Sequence, residues 1–320
     1  MNAVQGQCLR SLRAGVVGIG AFGRHHAAKY ALIEGVELVG IADPCIKARR
    51  AATATHGVPV FSDWRDLLGA VDIVSVCSPA ITHASIVRAF LNAGAHVLVE
   101  KPIATRLVEA DLLISLAEVN DRVLTVGHQE RFVFAHTGLL DYRDAPLSVE
   151  CWRMGGWTGR GVDVSVVLDL MIHDLDLVHR LVPGAISEIE ATGRSVKSRH
   201  MDDVRATVGF ENGTEVRLSA SRVANFRRRG MRAVYSDGVI EIDFIARTVR
   251  NTTRRRLNPT MLADPLGEAV ASFVNAARSE EAAFVRPEEA RRALATALQI
   301  ENASIPMVLP RATGTYGARA

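Results

Sequence analysis

The stretch Ala14 to Arg24, AGVVGIGAFGR, constrains this chain more than any other: a short apolar run breaks into Gly18, Gly20 and Gly23 at the spacing G-x-G-x-x-G. An apolar strand that stops at a glycine-rich turn and restarts as a helix presents backbone N–H groups and the positive helix end outward, which suits a diphosphate. Gly18 allows the tight turn, Gly20 lets a pyrophosphate approach the backbone, and Gly23 lets the helix pack on the strand. In a chain with 25 glycines the motif alone is weak evidence. Its context strengthens it, because a second apolar run, Val36 to Ala42, ends at Asp43, 20 residues after Gly23. A carboxylate there meets the ribose hydroxyls of an adenine dinucleotide and repels a 2′-phosphate. The expected cofactor is NAD rather than NADP, held by Gly18, Ile19, Gly20, Ala21, Phe22, Gly23 and Asp43. Lys47, Arg49 and Arg50 argue the other way.

Composition narrows the remaining classes. A chain of 320 residues, 48% hydrophobic, has enough apolar surface for one large core or two. With 38 basic and 35 acidic residues, a net +3, nothing in the whole-chain charge calls for a nucleic acid partner. The arginine runs 227–229 and 254–256 fit solvated loops or the holding of an anionic substrate. Four cysteines without C-x-x-C spacing suggest reduced thiols rather than a disulfide scaffold or zinc site. No apolar run approaches a membrane span, and the N-terminus lacks a charged-then-apolar signal pattern, so a cytoplasmic protein without membrane contacts is expected.

In order, residues 1–11 suggest a loose leader, followed by alternating strands and helices up to Gly127. Helices are expected over Arg24 to Ile33, Ile46 to His56, Trp64 to Leu68, Ala84 to Ala93 and Ile103 to Val119. His25 or His26, in the first of these, could touch phosphate or be an ordinary partly exposed histidine. Strands are expected at Leu12 onward, Val36 to Ala42, Val60, Val71 to Cys77, Ala95 to Val99 and Val123 to Val126. This alternation predicts a doubly wound parallel sheet over 12–127, with ligands at the carboxyl ends of the strands. Two loops leave such ends. One is Ser78 to His83, in which Thr82 is the expected helix cap. The other is Glu100-Lys101-Pro102, where an ammonium group meets a proline that permits a cis bond.

His128 to Phe132 has neither helical nor strand period and suggests a crossing between domains. Beyond it, pairs such as Val204 to Phe210 with Glu215 to Ser221, and Met231 to Tyr235 with Val239 to Phe244, predict consecutive hairpins. Residues 128–310 should therefore form an α+β domain with an open, mostly antiparallel sheet, and 311–320 a mobile tail. Within it, Val164 to Val182 carries Asp169, His173 and Asp176 within about 60 degrees of one another on a helix otherwise largely apolar. Charged groups on a buried helix need partners or a cavity, so this stripe should face a cleft. A metal site, a structural hydrogen-bonded stripe and acid/base work on a substrate all fit the stripe; no second His/Cys pair stands at ligand spacing for the metal.

Gly18-Ile19-Gly20-Ala21-Phe22-Gly23, then Glu100-Lys101-Pro102, then Asp169 and His173 as D-x-x-x-H, resemble the Gfo/Idh/MocA family of NAD(P)-dependent oxidoreductases over about residues 13–310. The resemblance implies a two-domain subunit with cofactor on the first domain, a sugar or polyol at the interface, and a homodimer or homotetramer joined through the open sheet. It implies cofactor contacts at Ser78, Pro79, His83, Glu100 and Lys101, and catalysis by Lys101, His173 and Asp169. The run Arg160 to Asp174, with Gly127-His128-Gln129-Glu130-Arg131-Phe132 upstream, is similar to the branch that oxidises the 3-hydroxyl of UDP-N-acetylglucosamine. It departs from that branch after Phe132, where Val133 and Phe134 replace Asn and Pro.

These implications fit the chemistry of a secondary alcohol: hydride leaves carbon while a base takes the hydroxyl proton. His173, tuned by Asp169, is the expected base, and Lys101 stabilises the alkoxide; a Lys101 base is the other assignment. Lys101, His128, Arg131, Arg160, Asp169 and His173 are the expected substrate contacts, with Arg131 and Arg160 for a diphosphate or for salt bridges. Inositol or a free sugar is the alternative substrate, and a non-enzymatic NAD-binding regulator the alternative class.

Overall fold

The computed structural model describes residues 11–141, 144–260, 262–278 and 282–307. Apart from residue 11, the expected leader and the expected tail lie outside them. The first sheet contains β1 (Leu12–Val17), β2 (Val36–Ala42), β3 (Val60–Phe61), β4 (Ile73–Val76), β5 (His96–Val99) and β6 (Leu124–Val126). The strands are parallel in the order β3-β2-β1-β4-β5-β6. Parallel sheets are covered on both faces, so their strands are apolar throughout, as the fully buried β4 shows. Strand order reverses between β1 and β4, and the crevice at such a reversal receives a ligand. The glycine turn leaves β1 there and the Ser78 loop leaves β4.

The helices of this half are α1 (Gly23–Tyr30), α2 (Ile46–His56), α3 (His83–Asn92) and α4 (Leu107–Val119). Three differ from expectation. α1 ends three residues early, in a turn that leads through Gly35 at φ +68° into β2. α3 begins at His83, and Thr82 does not cap it; its hydroxyl oxygen lies 2.7 Å from both Ser78 Oγ and the Pro79 carbonyl oxygen. α4 begins at Leu107 rather than Ile103; Ile103 and Ala104 are packed into the core as loop residues.

α5 (Glu130–Ala135) leads into the second sheet, built from β7 (Ser148–Met154), β8 (Ile186–Arg194), β9 (Asp203–Phe210), β10 (Glu215–Ser221), β11 (Arg228–Tyr235), β12 (Gly238–Asp243), β13 (Thr248–Asn251) and β14 (Ser304–Pro306). Their order is β13-β12-β11-β7-β10-β9-β8-β14, antiparallel except for β7 with β10 and β8 with β14. The two expected hairpins are β9–β10 and β11–β12. Two further helices, α6 (Ile172–Leu181) and α8 (Pro287–Ala303), pack against each other on one sheet face. The remaining helix, α7 (Pro265–Ala277), lies elsewhere: Val270, Phe273 and Val274 share a core with Ala14, Val16 and Ile41 of the first sheet. Amphipathic α7, though it comes late in the chain, thus buries its apolar face on the first sheet. Among the described residues no helix is long and apolar enough to cross a membrane.

Candidate active site

The three glycines of the turn play three different parts. Gly18 has φ +83°, and a Cβ there would lie 2.7 Å from the Cys77 carbonyl oxygen, so the turn runs hard against the end of β4. A Cβ on Gly23 would lie 1.8 Å from the Gly18 carbonyl oxygen. At Gly20, by contrast, it would meet nothing within 4 Å, so this position opens outward where a diphosphate needs to approach. Asp43 ends β2 beside this turn. Its Oδ2 accepts from the Ile19 amide and its Oδ1 from the Cys45 amide, both at 2.8 Å, which fixes the carboxylate and leaves it half-buried. Arg49 donates to the backbone carbonyls of Asp43 and Pro44 at 2.6 and 2.9 Å. These residues fit an adenine dinucleotide: the turn takes the diphosphate and the carboxylate the ribose hydroxyls.

Ser78 and Pro79 stand at the rim of the same crevice, half-buried and exposed. His83 and Glu100 do not present their side chains to a cofactor. His83 is buried, with Nδ1 2.7 Å from the Pro102 carbonyl oxygen and Nε2 2.9 Å from that of Ser78, so it braces the two loops that line the crevice. Burial lowers its pKa. Glu100 is buried against His26 Nε2 at 3.1 Å, and His26 Nδ1 meets Ser75 Oγ at 3.0 Å. Thus His26 is neither a phosphate ligand nor partly exposed. Burial would raise the Glu100 pKa, but the hydrogen bond and charge of His26 lower it overall.

Lys101 crosses to the second half of the chain. Its Nζ donates to the Asp169 carbonyl oxygen at 2.6 Å and to Asp169 Oδ1 at 2.8 Å. Asp169 lies in a π-helical turn, Val167–Met171, that precedes α6 where one continuous α-helix was expected. Such turns recur at functional sites. Gly161, at φ +64°, packs against the same carboxylate: a Cβ there would be 2.3 Å from Asp169 Oδ2. His173 sits one turn on, 9% exposed, with Nδ1 buried and unpartnered. Asp169 therefore orients Lys101 rather than the His173 ring. Burial first, then the charges of Arg153 and Lys101, hold the His173 pKa well below the ordinary imidazole value. The His128 ring meets the His173 ring edge-on with centroids 5.9 Å apart, and both its nitrogens are buried without partners.

Arg131 is not available to a substrate. It is fully buried, bonded through Nε to Asp176 Oδ2 at 3.0 Å and through its terminal nitrogens to Asp176 and Glu289. Asp176, expected on the stripe facing the cleft, is thereby a structural partner. Arg160 is exposed on the loop before the π-turn, one residue from Gly161. Absent from the expected site is a charged group next to His173: buried Arg153 bonded to buried Asp174 at 2.7 Å, with buried Glu130 accepting from half-buried Arg229 at 2.7 Å. Its members lie on β7, α6, α5 and β11, so no sequence spacing announces them.

Comparison with known proteins bears on the fold and family of the chain. Residues 12–128 match a family model described as oxidoreductase family, NAD-binding Rossmann fold, and residues 135–241 match the GFO/IDH/MocA C-terminal domain. UDP-N-acetylglucosamine 3-dehydrogenase of Acidithiobacillus ferrooxidans is 33% identical over 305 residues, covering 90% of this chain and 96% of that protein. Its solved structure superposes with a TM-score of 0.83, covering 92% of this chain and 97% of its own. The WlbA dehydrogenase of Bordetella pertussis, solved with NADH and UDP-GlcNAcA, shares the fold at TM-score 0.78 and 20% identity, covering 92% and 96% of the two chains. Scyllo-inositol dehydrogenase of Lactobacillus casei, solved with NAD(H) and scyllo-inositol, shares it equally at 0.78 and 20%, covering 92% and 97%. Both domain models and a third of all residues along nearly the whole length thus point one way: the chain belongs to the Gfo/Idh/MocA family of NAD(P)-dependent oxidoreductases acting on CH–OH groups.

Proposed function

We propose that this enzyme oxidises the 3-hydroxyl of a UDP-N-acetyl-hexosamine with NAD as the acceptor. The observation that carries the chemistry is the bond from Lys101 to Asp169, which joins the Glu100-Lys101-Pro102 loop to the π-turn leading into the helix that bears His173. Bound NAD supplies the hydride acceptor. His173, kept neutral by burial and neighbouring cations, takes the hydroxyl proton. Lys101, held as a donor by Asp169, stabilises the alkoxide oxygen.

The nucleotide sugar is supported by the 33% identity to a UDP-N-acetylglucosamine 3-dehydrogenase along nearly its full length. Arg160 is the remaining candidate for the diphosphate, since Arg131 is committed to carboxylates. NAD over NADP is supported by Asp43, and by Arg49, which donates to backbone carbonyls. Assembly into a homodimer or homotetramer is supported by the outward face of the second sheet, where exposed Arg217, Glu150 and Arg232 are successive neighbours across three strands. Cys45, Cys77 and Cys151 are free thiols, in keeping with the cytoplasm.

The test is NADH formation from NAD or NADP with a panel of UDP-sugars, free sugars and inositols. Turnover of UDP-N-acetylglucosamine with NAD is expected. Turnover confined to inositol or free sugars would replace the substrate, and cofactor binding without any turnover would indicate a regulator.

A further inference from the structure

The three carboxylates that flank His173 along its own segment are each engaged by a cation. Asp169 accepts from Lys101, Asp174 from Arg153, and Asp176 from Arg131. A histidine base nevertheless needs its proton confined to one ring nitrogen, which is ordinarily done by whatever the other nitrogen hydrogen-bonds. The nitrogen to be held is Nδ1, which is buried and unpartnered, and the ring as a whole keeps 9% exposure. His128 is the polar ring packed against it, 1% exposed, with Nδ1 and Nε2 likewise buried and unpartnered. His173 Nδ1 and a nitrogen of the packed His128 ring, both buried without protein partners, call for a polar partner between them, because such groups are almost always satisfied. At a centroid separation of 5.9 Å the rings make no direct hydrogen bond, so a link between them needs a bridging group such as one water.

We infer that His128 is the positioning residue of the His173 base: through one bridging water it holds the His173 proton on Nδ1 and leaves the Nε2 lone pair to the substrate hydroxyl. His128 suits this task because an imidazole accepts at one nitrogen while donating at the other. Its burial favours the neutral ring, which alone retains an acceptor nitrogen. The inference rests on the assignment of His173 as base.

The test begins with the unmutated protein, whose 15N imidazole spectrum shows the His173 tautomer, with His173→Gln providing the assignment. A single Nδ1–H tautomer is expected; an Nε2–H form or a tautomeric mixture would overturn the positioning role. His128→Leu should turn that signal into a mixture and lower kcat at least about tenfold, with KM for NAD unchanged, and His128→Asn should restore most of both. Parental kcat and tautomer in His128→Leu, together with loss of turnover in His173→Gln, would overturn only the positioning role. Turnover surviving His173→Gln would overturn the base assignment and the positioning role with it.

Discussion

Lys101 and Asp169, 68 positions apart, are joined twice, once through the Asp169 carbonyl oxygen and once through its carboxylate. One residue follows β5 of the first sheet and the other precedes α6 of the second half, so the pair ties the cofactor crevice to the helix that carries His173. An ammonium held this way is already oriented when an alkoxide forms, which is the condition for electrostatic stabilisation without reorganisation.

Lys101→Met should therefore cut kcat by roughly 10²- to 10³-fold while leaving NAD affinity within about threefold, since the glycine turn and Asp43 are untouched. Steady-state kinetics together with NAD titration by fluorescence separates the two effects. An equal loss of NAD binding would place Lys101 in cofactor holding instead.

Asp43 separates the two dinucleotides. Asp43→Ser removes the charge that repels a 2′-phosphate, so the ratio of kcat/KM for NAD over NADP should fall by about tenfold or more, each tenfold corresponding to about 1.4 kcal/mol. An unchanged ratio would move the discrimination to Lys47 or Arg50.

Arg131→Met should damage the fold rather than the chemistry. It strands Asp176, which is 2% exposed, as an uncompensated buried carboxylate, and such losses cost about 3–5 kcal/mol. Urea unfolding should register this while the folded fraction keeps the parental KM. A raised KM at unchanged stability would return Arg131 to the substrate site.

The buried histidines set a pH dependence of stability. Burial, more than the charge of Arg292, lowers the His179 pKa to about 4, and its Nε2 meets Thr296 Oγ1 at 2.8 Å. Above the unfolded value near 6.5 the ring is neutral in both states. Between pH 6.5 and about 4 the unfolded chain binds the extra proton, so stability falls as pH falls, by at most about 1.4 kcal/mol per unit from this group. His83 and His128 are shifted in the same direction. His179→Asn should make the loss shallower in denaturation curves taken from pH 7 to 4.5; an unaltered slope would show that His179 does not titrate with unfolding.

Activity should withstand acid further than an ordinary histidine base allows. With the His173 pKa well below its ordinary value, the base form persists as pH falls, so the acid limb of kcat/KM should lie below pH 6.5. Arg229→Met removes one of the charges that disfavour the protonated ring and should move the limb upward. A limb that stays in place would detach it from His173.

What the sequence determined by itself was local in origin. The turn Gly18 to Gly23, the run ending at Asp43, and the alternation of strand and helix each depend on neighbours within about twenty residues, and backbone geometry and hydrophobic period are encoded at that range. Lys101, Asp169 and His173 were legible as members of motifs. Tertiary structure alone decided which of them meet. Asp169 serves Lys101 instead of His173, Arg131 is sealed in by Asp176 and Glu289, and α7 covers the sheet of the other half. In each case the partner comes from a distant segment, and the pairing follows from which charges folding removes from water together, a quantity no spacing along the chain carries.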